Sequence, residues 1–179
     1  MNASRPLDLL VPVTTSDHQR GPVGARVTIV EYGDFECPIC RAAEPAVQMV
    51  LRQFPGTVRL VYRHFPIETA HPHALMAAEA TEAAAAQGRF WEMHDRLMQG
   101  AAKLDRKSLD GHADSLGLDM ALFAASLNDE IYRQRVREHL AGGQRSHVRA
   151  SPGFFVNGRV CDLSGGFHAL GERVAAELA

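Results

Sequence analysis

The sequence predicts an α/β domain interrupted by a block of helices. Three observations carry this. A β-branched run, an amphipathic helical stretch and a second β-branched run follow one another near the N-terminus; about seventy residues of helical texture come next; and strand-like patterning returns around an Asn-Gly turn near the C-terminus.

Each element has a local reason. Residues 1–26 are punctuated by Pro and Gly and read as an extended arm, with order beginning at Val27. "VTIVEY" is β-branched, stops at Gly33 and reads as a buried strand. From Pro38 to Phe54, residues Ile39, Ala43, Val47, Val50, Leu51 and Phe54 recur at helical spacing, and Pro45 is expected to kink that helix because it lacks a backbone donor. A second strand is expected in "VRLVYRHFP", after the turn at Pro55-Gly56, completing a strand–helix–strand unit. The next segment, "HALMAAEATEAAAAQ", is rich in strong helix formers and stops at Gly88, and further helices are expected over 90–99, 106–116, 119–127 and 129–141. Asn157-Gly158 sits between two short apolar runs and predicts a hairpin, since both residues tolerate positive φ. "GFHALGERVAAELA" closes the chain as an amphipathic helix with Phe167, Leu170, Val174 and Leu178 on one face.

Composition narrows the function classes. Nineteen Lys plus Arg against 21 Asp plus Glu give a net charge of -2, which leaves no electrostatic footprint for nucleic acid or an anionic membrane. No apolar run approaches the roughly 20 residues that cross a bilayer, so no membrane insertion is expected. The N-terminal stretch does not read as a signal peptide, which predicts a cytoplasmic location, or a periplasmic one if a preceding segment had been removed.

The three cysteines are too few for a disulfide framework, and only Cys37 and Cys40 lie close together. A Cys-x-x-Cys pair serves as half a zinc site, a structural staple or a redox dithiol. No second such pair or His-x-x-x-His completes a metal set, and so short a loop gains little from closure. A strand before the pair and a helix after it favour redox chemistry. Cys37 falls at the expected N-cap and Pro38 at the first helical position, where its missing N–H costs nothing. Free N–H groups and the helix dipole would favour the Cys37 thiolate. Cys37 is therefore expected to be the exposed nucleophile and Cys40 the buried thiol that resolves a mixed disulfide.

"VEYGDFECPICRAAEP" resembles the active-site region of the thioredoxin fold, in particular its DsbA-like branch, where a helical domain is inserted. Cys37-Pro38-Ile39-Cys40 at a strand-to-helix junction, Pro45 five residues on, "VRASPGFFVNG" and "GRFWEMHDRL" carry the resemblance over residues 27 to 178. It implies a thioredoxin fold built from residues 27–70 and 145–179, with an inserted all-helical subdomain over 71–144. It also implies that Glu31 is the buried carboxylate that moves protons to and from the resolving thiol. Pro152 would be a cis-proline, and the backbone of Ser151 would pair with an extended substrate beside Pro38 and Ile39.

Departures from that pattern matter. Ile39 stands where strongly oxidising DsbA enzymes carry His, so weaker oxidising power is expected. Gly153 follows the proline in place of Thr or Ala, and Ala150 and Ser151 precede it, so a reshaped groove is expected. Cys161 reads as a small buried hydrophobe. His64, His71 and His73 have ligand-like spacing, but the loop explains them without a metal. "FWEMH" reads as core rather than a cofactor box.

The resulting expectation is a thiol–disulfide oxidoreductase acting on protein thiols and disulfides. Its redox partner would be of thioredoxin, glutathione or membrane-oxidase type. Electrons move by exchange, so no bound cofactor and no metal is required. Under the expected cytoplasmic location a reductase or isomerase role is favoured. A glutathione-dependent transferase or isomerase on the same fold, or a non-catalytic binding or chaperone module, is the alternative.

Overall fold

A computed structural model describes residues 8–99 and 102–179; the first seven residues of the expected arm lie outside the described residues. The elements are β1 (His18–Arg20), β2 (Val27–Gly33), α1 (Pro38–Gln53), β3 (Val58–His64), α2 (Ala74–Ala85), α3 (Phe90–Met98), α4 (Arg106–Ser115), α5 (Met120–Asn128), α6 (Arg133–Arg145), β4 (Gly153–Val156), β5 (Arg159–Cys161) and α7 (His168–Leu178). The sheet order is β1-β3-β2-β4-β5, with β2 and β3 parallel and every other pair antiparallel.

The central strands are buried on both faces, which is why they read as continuous apolar runs rather than alternating ones. On one face Ile29, Leu60 and Phe154 pack with Val47 and Val50 of α1 and with Leu170 and Val174 of α7. On the other, Val30, Tyr32, Val61 and Phe155 meet Phe65 and Val148. A third cluster joins Phe35 and Cys40 to Phe90, Met93, Leu97, Leu109 and Phe123 of the helices between β3 and β4. The dithiol helix thus has its first turn wedged between sheet and helical block.

Local chemistry sets the boundaries. Asp105 and Asp119 cap α4 and α5, their carboxylates accepting from Ser108 N and from Ala121 N and Leu122 N. Helix α1 continues through Pro45. The expected helix over 129–141 is displaced. Glu130 adopts φ 53, which interrupts the helical path, and α6 then runs on through Gly142 and Gly143. That Gly-Gly pair is a packing face rather than a stop: a Cβ on Gly143 would stand 2.7 Å from the Phe65 ring, and one on Gly142 3.2 Å from Val11.

The arm is also more ordered than its composition predicted, because Arg63 holds it. This buried guanidinium donates to both carboxylate oxygens of Asp17 at 2.8 and 2.9 Å, to the carbonyls of Val11 and Pro12, and to the Tyr32 hydroxyl. With the arm fixed, His18–Arg20 adds as an edge strand to β3. Arg63→Lys keeps the charge but loses the planar fork, so a loss of about 2 kcal/mol in urea stability is expected. An unchanged midpoint would show that the arm is held by other contacts.

Candidate active site

Cys37 is the N-cap of α1, with Pro38 at its first position, and its extended backbone (φ -70, ψ 121) turns the sulfur toward the helix start. The loop before it is built on Asp34, a buried carboxylate whose Oδ1 accepts from Glu36 N at 2.8 Å and whose Oδ2 accepts from Ile67 N and the His71 ring. Glu36 accepts from the His73 backbone and ring, and Arg41 donates to the carbonyls of Phe35 and Ala102. Sequence reasoning missed Asp34. Its position three residues before the helix-capping cysteine was the available signal.

The Ser151-Pro152 peptide is cis and lies against the dithiol, with the Cys37 thiol donating to the Ser151 carbonyl at 3.4 Å. This contact corrects one expectation. Cys37 is only 4% exposed, because the Ser151 loop covers its sulfur, and Ile39 is the residue that projects, at 57%. Beside it a groove of about 460 Å³ is lined by Ile39, Ser151, Pro152, Phe154, Val160 and Phe167. Gly153 has a steric reason: a Cβ there would stand 2.9 Å from Val148 Cγ1, so the space a Thr would occupy is already filled.

Electrostatics separates the two thiols. The Cys40 S–H and the backbone N–H groups of Cys40 and Ile39 lower the Cys37 pKa from 9.0 to about 5, against the opposing effect of burial. Burial first, then the Cys37 contact and the Glu31 charge, push Cys40 far upward. Glu31 on β2 is 1% exposed rather than water-facing, and burial together with the Glu44 charge holds its carboxyl well above the usual range.

The histidines do not form the ligand set their spacing suggested. His71 bonds Asp34, His73 bonds Glu36, and His64 turns inward to Glu82. Cys161 is buried on β5, as expected of a small hydrophobe, and its thiol is raised by burial.

A helix-capping cysteine with a second thiol one turn inside, a proline loop over it, and helices joining the two halves of a thioredoxin-like sheet define the DsbA-like class of the thioredoxin superfamily. The chain belongs to the family described as thioredoxin, which it matches over residues 14–174. It is similar to the Na(+)/H(+) antiporter NhaA 1 of Salinispora arenicola, with 47% identity over 174 residues covering 97% of this chain and 26% of that protein. It is likewise similar to the Na(+)/H(+) antiporter NhaA of Herminiimonas arsenicoxydans, with 42% identity over 88% of this chain and 25% of that protein. The chain thus spans about a quarter of the length of these curated relatives.

Among solved structures, the fold is similar to oxidised BdbD from Bacillus subtilis (22% identity, 90% of this chain and 92% of that one, TM-score 0.80). It is also similar to a thioredoxin-like oxidoreductase from Silicibacter pomeroyi DSS-3 (28% identity, 93% and 95%, TM-score 0.81). A periplasmic thioredoxin-like protein from Salmonella enterica serovar Typhimurium matches with 17% identity over 90% of each chain and a TM-score of 0.72. This last likeness overturns the expected cytoplasmic location. That expectation rested on where the chain begins, from which no location follows, since the chain spans about a quarter of the length of its curated relatives.

Proposed function

We propose that the protein exchanges disulfides with protein substrates through Cys37 and Cys40, in an extracytoplasmic compartment. The observation that carries this is the opposite displacement of two thiols one helical turn apart: Cys37 is lowered to about 5 while Cys40 is raised. One is therefore a thiolate ready to attack or leave at neutral pH, and the other keeps its proton until it is called on. In substrate oxidation, a substrate thiolate attacks Cys37 Sγ of the disulfide, and Cys40 leaves and takes up a proton. A second substrate thiol then displaces Cys37 as its thiolate. Substrate gains one disulfide, and the enzyme holds the two electrons as its dithiol.

In this reading the groove beside Ile39 supplies apolar contact for an extended chain, and the Ser151 backbone pairs with it. Pro38 and Ile39 form the lip that a folded substrate would meet first. Stabilising the thiolate stabilises the reduced enzyme, so the pair is proposed to act as an oxidant. Helix-start N–H groups and Cys40 stand in for the ring charge that Ile39 does not provide. The redox partner that reoxidises it is a thiol–disulfide or membrane-oxidase system. Ion transport is not proposed for this chain: the antiporter-named relatives share only a quarter of their length with it, and no helix among the described residues is long and apolar enough to cross a membrane.

Alkylation of the reduced protein by iodoacetamide tests the thiolate. The fast phase should have a midpoint near pH 5 and vanish in Cys37→Ser, whereas a midpoint near 8.5, the value of a free thiol, would overturn it. Redox titration against glutathione tests the whole reading, which fails if the two thiols do not form a disulfide.

A further inference from the structure

Resolution of a mixed disulfide requires Cys40 to lose its proton, yet Cys40 is fully buried. Among the described residues, four buried polar atoms of the same core region have no hydrogen-bond partner: Glu31 Oε2, Tyr62 OH, Glu44 Oε2 and His94 Nε2. Buried polar atoms are ordinarily paired, so four together call for an explanation.

Their residues are neighbours in the fold, with Glu31 acting electrostatically on Cys40 and Glu44 on Glu31. Glu44 follows Cys40 by one turn on the same face of α1. Glu31 and Tyr62 are register partners on β2 and β3, and the Tyr62 hydroxyl lies 2.7 Å from where a Cβ on Gly33 would stand. The Tyr62 and His94 rings meet edge to face with centroids 4.7 Å apart. Polar atoms of Glu44, His94 and Asp95 lie within 4.8 Å of one another. Asp95 reaches the surface with 44% of its side chain exposed and pairs with Arg20.

The imidazole tautomer follows from its neighbours. Asp95 is held ionised: burial raises its pKa, but the His94 ring and Arg20 more than offset this. A carboxylate cannot donate, so His94 Nδ1–H donates to Asp95 Oδ1 at 3.0 Å. Nε2 is then a bare acceptor facing inward. The ring's two nitrogens face opposite ways, which suits a relay and not the binding of one ion by both.

We propose that Glu44, His94 and Asp95 carry the Cys40 proton from Glu31 to the surface. The proposal rests on the disulfide-exchange reading above. As Cys40 Sγ bonds to Cys37 Sγ, the bond between Cys37 and substrate sulfur breaks and the substrate leaves as thiolate. The Cys40 proton passes to the Glu31 carboxyl, which passes one on to Glu44. His94 accepts at Nε2 and releases from Nδ1 to Asp95 and solvent. Gln48 holds the other Glu44 oxygen at 2.6 Å, which leaves Oε2 for the relay. The "FWEMHD" stretch thereby gains a purpose beyond packing, and His94 is a positioning residue that acts on Cys40 through two carboxyls.

The test uses a chromogenic aromatic disulfide on the reduced Cys161→Ala protein, so that all released thiol comes from the dithiol pair. The first equivalent reports attack by Cys37, and the second reports resolution by Cys40. In His94→Ala and in Glu44→Gln the second phase is expected to slow about 10-fold or more with the first unchanged, and added imidazole is expected to restore it in His94→Ala alone. Unaltered second phases, or equal slowing of both phases without rescue, would overturn the relay. If His94→Ala does not fold, Glu44→Gln decides between the same outcomes. A wild type that releases no second equivalent overturns the exchange reading itself, and the relay with it.

Discussion

Cys40→Ser should turn the protein into a trap, with substrate accumulating as a mixed disulfide on Cys37, and Cys37→Ser should abolish exchange. The size of the effect follows from geometry. Cys40 is one helical turn from Cys37 and fully buried, so its attack is intramolecular, and well-oriented intramolecular groups act at effective molarities of about 10⁵ M and above. External thiols at millimolar concentration cannot match this, and resolution should slow by at least about 1,000-fold. The expected readout is a covalent adduct of protein plus a cysteine-containing peptide that persists on non-reducing mass analysis and disappears with reductant. Retained turnover of a small glutathione-linked substrate by Cys40→Ser would instead favour the transferase reading. Retained function in Cys37→Ser would favour a binding module. The adduct experiment therefore separates all three classes that the sequence left open.

The site was legible in the sequence wherever one residue type does one job. Cys37 at a helix start, Pro38 where an N–H is dispensable, and the strand before them are all local signals, and the structure places them accordingly. What was not legible depends on contacts between distant segments. Cover over Cys37 comes from Ser151, 114 residues away, and the ordering of the arm comes from Arg63 reaching back to Asp17. The helix expected over 129–141 stops short of Gly142-Gly143, whereas α6 runs through that pair. Its purpose, close approach to Phe65 and Val11, is visible only when the partners are in place. Likewise Gly153 looked like a departure that reshapes the groove, whereas Val148 already fills the room a side chain would need. Histidine spacing is likewise silent about such contacts. Spacing groups His64 with His71 and His73, while folding sends His64 to Glu82 of α2.

Glu82→Ala is expected to cost about 3–5 kcal/mol, read as a lower urea midpoint at unchanged slope, because it removes the acceptor that joins four elements, α2, β1, β3 and α6. Glu82 Oε1 accepts from His18 Nε2 on β1 and His64 Nε2 on β3, each at 2.8 Å, and Oε2 pairs with Arg135 of α6 at 2.8 Å. His18 stacks on Phe90 of α3 at 3.6 Å, and His139 stacks on His64. Burial alone would raise the Glu82 pKa, but the ring N–H donors of His18 and His64 offset it and hold the carboxylate far below its ordinary range. Burial also lowers His64, and burial with the neighbouring His64 charge lowers His139 to about 3. These shifts act in one direction. The unfolded chain takes up protons on histidine below about pH 6.5 and on Glu82 below about pH 4.3, before the folded chain does, so stability should fall steadily as pH drops through both values. His139→Phe should flatten the upper part of that fall without disturbing the Glu82 bonds. An Ala substitution at Glu82 costing under about 1 kcal/mol would mean that solvent readily replaces the carboxylate. The consequence for function is mechanical: the same acceptor holds the arm, the sheet and the helices, and residues of α2 and α3 pack against Cys37 and Cys40. Loss of Glu82 should therefore also slow substrate attack on Cys37, while leaving the pH midpoint of its alkylation near 5.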